Sequence, residues 1–115
     1  MKITKKTRLL AGAKRVTITE FKVQMDGDTA EALLKGENLD GVTGYDPEDG
    51  SFTARLYDEG SDMGEKTFEP LGEDGTWRCG GLGVGLDETV KVVLTPDPAK
   101  PDFDPTPAEA TAVVE

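Results

Sequence analysis

The sequence contains no histidine and a single cysteine, Cys79. Without histidine there is no imidazole to act as general base or metal ligand, the commonest choices for both tasks. One cysteine cannot close an intrachain disulfide, so the chain is indifferent to the redox compartment. One cysteine without histidine also cannot complete a closed structural zinc site. Aromatic residues are few: Phe21, Phe52, Phe68, Phe103, Tyr45, Tyr57 and Trp77. A core must therefore be built from Val, Leu, Ile and Ala. Long apolar runs are missing too; "TRLLAGA" (7–13) is too short to span a bilayer or to serve as a secretory h-region. The last absence is of one sign of charge at one end. The first fifteen residues hold no acid but six bases, Lys2, Lys5, Lys6, Arg8, Lys14 and Arg15.

Beyond that basic stretch the chain is acidic. Of 115 residues, 23 are Asp or Glu, for a net charge of −10, and every acid lies beyond residue 15. Residues 16–115 carry seven bases against those 23 acids, a balance of −16. An acidic body does not collect nucleic-acid phosphates, which require clustered Lys and Arg. The basic residues at 2–15 read either as a solvated leader or as an arm that docks on an acidic surface. The length is that of one domain with a modest core.

Along the chain, short strands alternate with Gly and Asp turns. In "RVTITEFKVQMD" Val16 and Ile18 share one face, while Phe21, Val23 and Met25 share one in the opposite phase. The shift across Glu20 implies a bulge or bend. Residues 28–36 are ambiguous. Asp28 and Glu31 form a capping-box-like start and Gly36 a helix stop, whereas Ala30, Ala32 and Leu34 alternate as in a strand. Beyond the Asp49–Gly50 turn, Phe52, Ala54 and Leu56 define a half-buried strand. "KTFEPL" is a short strand that Pro70 confines to an edge or an end. "TWRC" and "ETVKVVLTP" supply two more, the second with Val90, Val92 and Leu94 on one face. From residue 97 the Pro-rich "DPAKPDFDPTPAEATAVVE" reads as an extended tail, with "TAVVE" apolar enough to add a strand to another sheet. The expected organisation is a basic arm at 1–15, an antiparallel β-sandwich at 16–96 and a tail at 97–115.

The chemical motifs fail on spacing. Glycines at 80, 81, 83 and 85 miss the dinucleotide fingerprint, and Leu86 and Asp87 stand where a P-loop needs Lys and Ser or Thr. They read instead as a bulged strand or a wide connection. Cys79 lacks a base and reads as a small buried apolar residue. Carboxylates cluster in turns, at Asp46, Glu48 and Asp49, at Asp58, Glu59 and Asp62, and at Glu73 and Asp74, where turn formation and solvation account for them. Calcium is the alternative, although "DPEDG" lacks EF-hand spacing. No cofactor, catalytic constellation or metal site is expected, and the chain does not read as an enzyme.

Residues 50–95, with "FTARLYDEG", "MGEKTFEP", "DGTWRC", "GGLGVGLDE" and "TVKVVLTP" in turn, resemble the bacterial immunoglobulin-like domains of adhesins and phage virion proteins. The resemblance extends over roughly 16–96 and is most specific at "DGTW". It implies an immunoglobulin-like antiparallel β-sandwich in which residues 28–36 are strand. Leu34 and Ala32 would then face inward with Phe52, Leu56, Trp77, Val90, Val92 and Leu94. A single module that opens on Met1 without an export signal fits a subunit assembling on a larger particle. The implied function is that of a bacteriophage structural virion protein, made in the host cytoplasm. A capsid decoration protein that docks on the major capsid protein through Lys2, Lys5, Lys6, Arg8, Lys14 and Arg15 comes first, and a tail or baseplate component second. A homo-oligomer is compatible with either; nucleic acid and membrane are not expected partners. The other class is a carbohydrate- or cell-surface-binding module, with Tyr45 and Tyr57 as stacking platforms.

Overall fold

The computed structural model describes residues 13–72 and 74–115. Lys2, Lys5, Lys6, Arg8 and Glu73 lie outside the described residues. Among the described residues there are seven strands: β1 (Thr17–Asp26), β2 (Thr29–Glu37), β3 (Phe52–Asp58), β4 (Ser61–Pro70), β5 (Trp77–Leu82), β6 (Thr89–Leu94) and β7 (Ala108–Val113). The 3-10 turn Leu39–Gly41 is the one helical element among the described residues, none of which forms a helix long and apolar enough to cross a membrane. The strands form a single sheet in the order β1-β2-β5-β4-β3-β6-β7, with every neighbouring pair antiparallel.

β4 is where the sheet turns the corner. Its residues from Ser61 to Phe68 pair with β3, whereas Glu69 and Pro70 pair with Arg78 and Trp77 of β5. Pro70 stands at the strand end, where its missing N–H costs no ladder bond. The fold is thus all-β and sandwich-like, its sheet nearly closed on itself. An odd number of antiparallel strands leaves the two outermost running the same way, so closure can only be parallel. The chain does this with two hydrogen bonds: the Met25 amide donates to the Glu115 carbonyl (2.8 Å) and the Glu115 amide to the Val23 carbonyl (3.0 Å).

The core follows the alternation of the strands. Ala32, Leu34, Phe52, Leu56, Val90, Val92 and Leu94 are fully buried, joined by Val23, Ala30, Phe68 and Val42. Residues 28–36 are strand, not helix: Asp26 pairs with Thr29 across the two-residue turn of Gly27 and Asp28, and Ala30, Ala32 and Leu34 all face inward. Period-two burial of three apolar side chains outweighs one local capping box. The register of β1 against β2 shifts between Ile18 and Glu20, at the phase change in the sequence. A second bulge sets two residues of β5 against one of β2, between the pairs Ala30–Leu82 and Ala32–Cys79. The two residues that oppose Glu31 are Gly80 and Gly81, the latter at φ +69°, which explains glycine there. Cys79, on the same strand, is buried, and burial raises its thiol pKa.

One expectation holds only in part, since Trp77 packs on the core without being fully buried, and another fails. Trp77 is half-buried; it packs against Phe52 with ring centroids 5.8 Å apart and donates its indole N–H to the Gly50 carbonyl (2.8 Å). Trp77→Phe keeps most of the packing and loses that bond. A stability loss of about 1 kcal/mol in urea denaturation is expected. The second difference is larger. The segment expected to be a tail contains β7, which pairs along its whole length with β6, from Thr89–Val113 to Leu94–Ala108. Ala108, Ala110 and Ala112 pack on the core, and Val114 is buried. Apolar "TAVV" thus completes the chain's own sheet. Alanine carries too little hydrophobic contrast to mark such a strand in advance.

Candidate docking end

One end of the sandwich is built from the 38–51 connection, the 95–107 connection and the residues that lead into β1. Backbone hydrogen bonds tie these together. The Lys14 amide donates to the Asp102 carbonyl (2.9 Å) and the Asp104 amide to the Lys14 carbonyl (2.7 Å), making a short parallel bridge. The Asn38 side-chain amide donates to the Arg15 carbonyl, and the Asp97 amide to the Gly41 carbonyl. Lys14 and Arg15, read from sequence as part of the arm at 1–15, are instead fastened to the folded body.

The side chains here are aromatic, proline and charged. Phe103 lies flat on Gly41, where an added Cβ would fall 2.2 Å from the ring. The Lys14 ammonium stands 5.6 Å from the centre of that ring. The Lys100 ammonium stands 5.1 Å from the centre of the Tyr45 ring and also donates to the Asp40 carbonyl (2.6 Å). Between them runs a groove of about 550 Å³ lined by Tyr45, Pro47, Lys100, Pro101 and Phe103, with Asp40 at its side. A second depression of about 480 Å³, which shares Lys100, Pro101 and Phe103 with it, is lined further by Pro98 and Pro105. Asp104 is buried beneath, and its carboxylate accepts from the Thr106 hydroxyl (2.6 Å) and amide (2.8 Å). Those two bonds, with the nearby Arg15 charge, hold its carboxyl below the usual range.

The two tyrosines expected as platforms are not brought together. Tyr45 belongs to this groove, while Tyr57 stands near the opposite end of β3, with the Lys91 ammonium 4.7 Å from its ring centre. Lys100 and Phe103 are groove residues that the sequence reading did not single out. Their signal was an aromatic residue between two acids in a Pro-rich stretch.

The acidic turns serve their own backbones. Asp46 accepts from the Glu48 amide, Asp49 from the Ser51 amide and hydroxyl, and Asp62 from the Gly64 amide and from Arg55. Hydrogen bonds from Ser51 lower the Asp49 pKa, and the Gly64 amide followed by Arg55 lowers that of Asp62. Among the described residues, no group of three or more His, Cys, Asp or Glu has the geometry to hold a metal ion. On the outer face of β1, β2 and β5, Arg78 reaches Glu31 and, at 3.6 Å, Asp26. The Gln24 side-chain amide donates to the same Glu31 carboxylate (2.7 Å), an arrangement that pins three strands together. Compared with protein-family models, curated proteins and solved structures, the chain matches none.

Proposed function

We propose that this chain is an immunoglobulin-like sandwich serving as a structural virion subunit of a bacteriophage, a capsid decoration protein that docks through its basic N-terminal end. The observation that carries the reading is the partition of charge together with its anchorage. Six bases fall within residues 2–15, the last two are bonded into one end of the body, and the rest of the chain has a balance of −16. A cationic stretch that begins at a fixed point of an acidic body suits an acidic shell surface, and self-repulsion of the bodies keeps free subunits apart. The strand order supports the immunoglobulin-like part. A constant-type immunoglobulin sandwich has strands in the order A-B-E-D and C-F-G. Counted along the chain, that is 1-2-5-4 followed by 3-6-7, the sequence of neighbours in this sheet. The virion setting comes from the resemblance of residues 50–95 to such domains.

The test is cosedimentation with capsids stripped of their decoration protein, comparing the full chain with one lacking residues 2–12. That truncation keeps Lys14 and its bridge to the body. The full chain is expected to pellet with the capsids and to dissociate as salt rises, since charge contacts are screened. The truncated chain should remain in the supernatant; full binding without residues 2–12 would end the proposal.

The groove supports a second reading, binding of a glycan. Tyr45, Phe103, Asp40 and Lys100 combine aromatic rings with polar groups, the composition of a small-ligand site. A glycan array in which binding survives loss of 2–12 and disappears in Tyr45→Ala would favour it over docking.

A further inference from the structure

At the opposite end of the sandwich, Asp58 ends β3 in the inward series begun by Phe52, Ala54 and Leu56. Its Oδ1 is buried and has no hydrogen-bond partner among the described residues. The groups that act on it are Glu88, from the connection between β5 and β6, and its neighbour Glu59, both acidic. Asp58 pairs with Val90 of β6, two residues past Glu88. Carboxylate oxygens only accept, so a hydrogen bond between Asp58 and Glu88 requires a proton on Asp58.

The surrounding elements offer no cation to replace that proton. Across from Asp58, β4 presents Ser61, and Asp62 beyond it is engaged with Arg55. β6 sets Val90 against Asp58, and the amide and carbonyl of the adjacent Thr89 are both taken by Glu59. The Lys91 ammonium lies over Tyr57 and 4.0 Å from Glu109. Among the described residues, no ion pair reaches Asp58 or Glu88.

Glu88 is also mechanically placed. Its carboxylate holds the Gly85 amide, and its carbonyl accepts from the Val114 amide (2.8 Å). The Asp87 amide donates to the Val114 carbonyl (3.0 Å), and the next residue, Glu115, makes both bonds that close the sheet on β1. Asp87 sits at φ +70°, in the left-handed region that aspartate enters more readily than most residues with a side chain. The carboxyl pair and the closing strand thus share one short piece of chain.

We propose that Asp58 and Glu88 form a pH-sensitive latch on the closure of the sheet. With Asp58 protonated, its carboxyl donates to Glu88, the 85–88 segment is held down and the clasp of Glu115 on β1 is shut. With Asp58 ionised, repulsion lifts the segment and the clasp loosens. The direction agrees with burial, then the Glu88 charge and shared bond, then Glu59, all raising the Asp58 pKa. A carboxyl raised in the folded state contributes stability at low pH and loses it as pH rises through its folded value. Asp49, Asp62, Asp104 and Glu31, held low by their hydrogen bonds, have the opposite sign and weaken the fold on acidification. Global stability mixes the two effects, so the test must be local.

Amide hydrogen exchange of the full chain, corrected for intrinsic rates, separates them when read at about pH 5 and about pH 8. In the wild type, protection of the Asp87, Val114 and Glu115 amides should fall several-fold at the higher pH, while Leu34 and Leu56 stay unchanged. Asp58→Asn and Glu88→Gln each remove one charge from the pair and should hold those three amides equally protected at both pH values. If Asp58→Asn does not fold, Glu88→Gln carries the comparison alone. A wild-type profile that is flat with pH, or an undiminished fall in Glu88→Gln, overturns the latch.

Discussion

Phe52→Ala is expected to remove about 3–5 kcal/mol of unfolding free energy, the cost of deleting a fully buried phenyl ring and leaving a cavity. Phe52 is entirely buried, stacks on Phe68 with centroids 5.7 Å apart and supports the tilted Trp77 ring on its other side. Phe68 and Trp77, which flank the space, are themselves held by the surrounding strands, so they refill it only in part. Single domains have roughly 5–15 kcal/mol in total, so this variant forfeits a large share of its stability. Urea denaturation followed by circular dichroism measures the loss without relying on Trp77, whose own surroundings change. Phe21→Ala, at a half-buried position, should lose clearly less; equal losses would show that the β3–β4 contact is not the centre of the core.

Gly36→Ala is the second large effect, expected at roughly 1–3 kcal/mol as an overpacking cost. A Cβ there would lie 2.1 Å from the Thr17 carbonyl oxygen and 3.1 Å from the Leu39 side chain. The first obstacle is backbone, so relief requires β1 and β2 to separate where Ile18 pairs with Gly36. Exchange at Thr17 and Ile18 should rise with the loss of stability. Gly83→Ala, where an added Cβ meets nothing within 4 Å, is the neutral control. Equal stabilities for the two variants would mean that β1 is not seated as described.

These two residues show how far the sequence could be read. Phe52 was legible as an inward residue, because large apolar side chains alternating with polar ones leave one solution for a strand. Val90, Val92 and Leu94 were legible for the same reason. Gly36 was legible as a special position but not as the correct one: a helix stop and a close strand crossing both select glycine, and only the partner strand distinguishes them. β7 was hidden because its inward residues are alanines and the prolines of the connection before it suggested a tail. Closure of the sheet was hidden because it uses backbone groups of Val23, Met25 and Glu115, which every sequence possesses. At the candidate docking end, Lys14, Arg15 and Tyr45 could be named from charge and residue type. Lys100 and Phe103 could not, since they meet the others only after two connections fold against each other.

The parallel clasp also has a consequence in time. Val23 and Met25 leave the ribosome long before Glu115, the residue whose amide and carbonyl they bind. At synthesis rates of about 5–20 residues per second, that wait lasts roughly 5–20 s. Throughout it, the outer edge of β1 has no partner in its own chain at the clasp. A nascent chain therefore carries one strand margin uncovered until Glu115 has emerged.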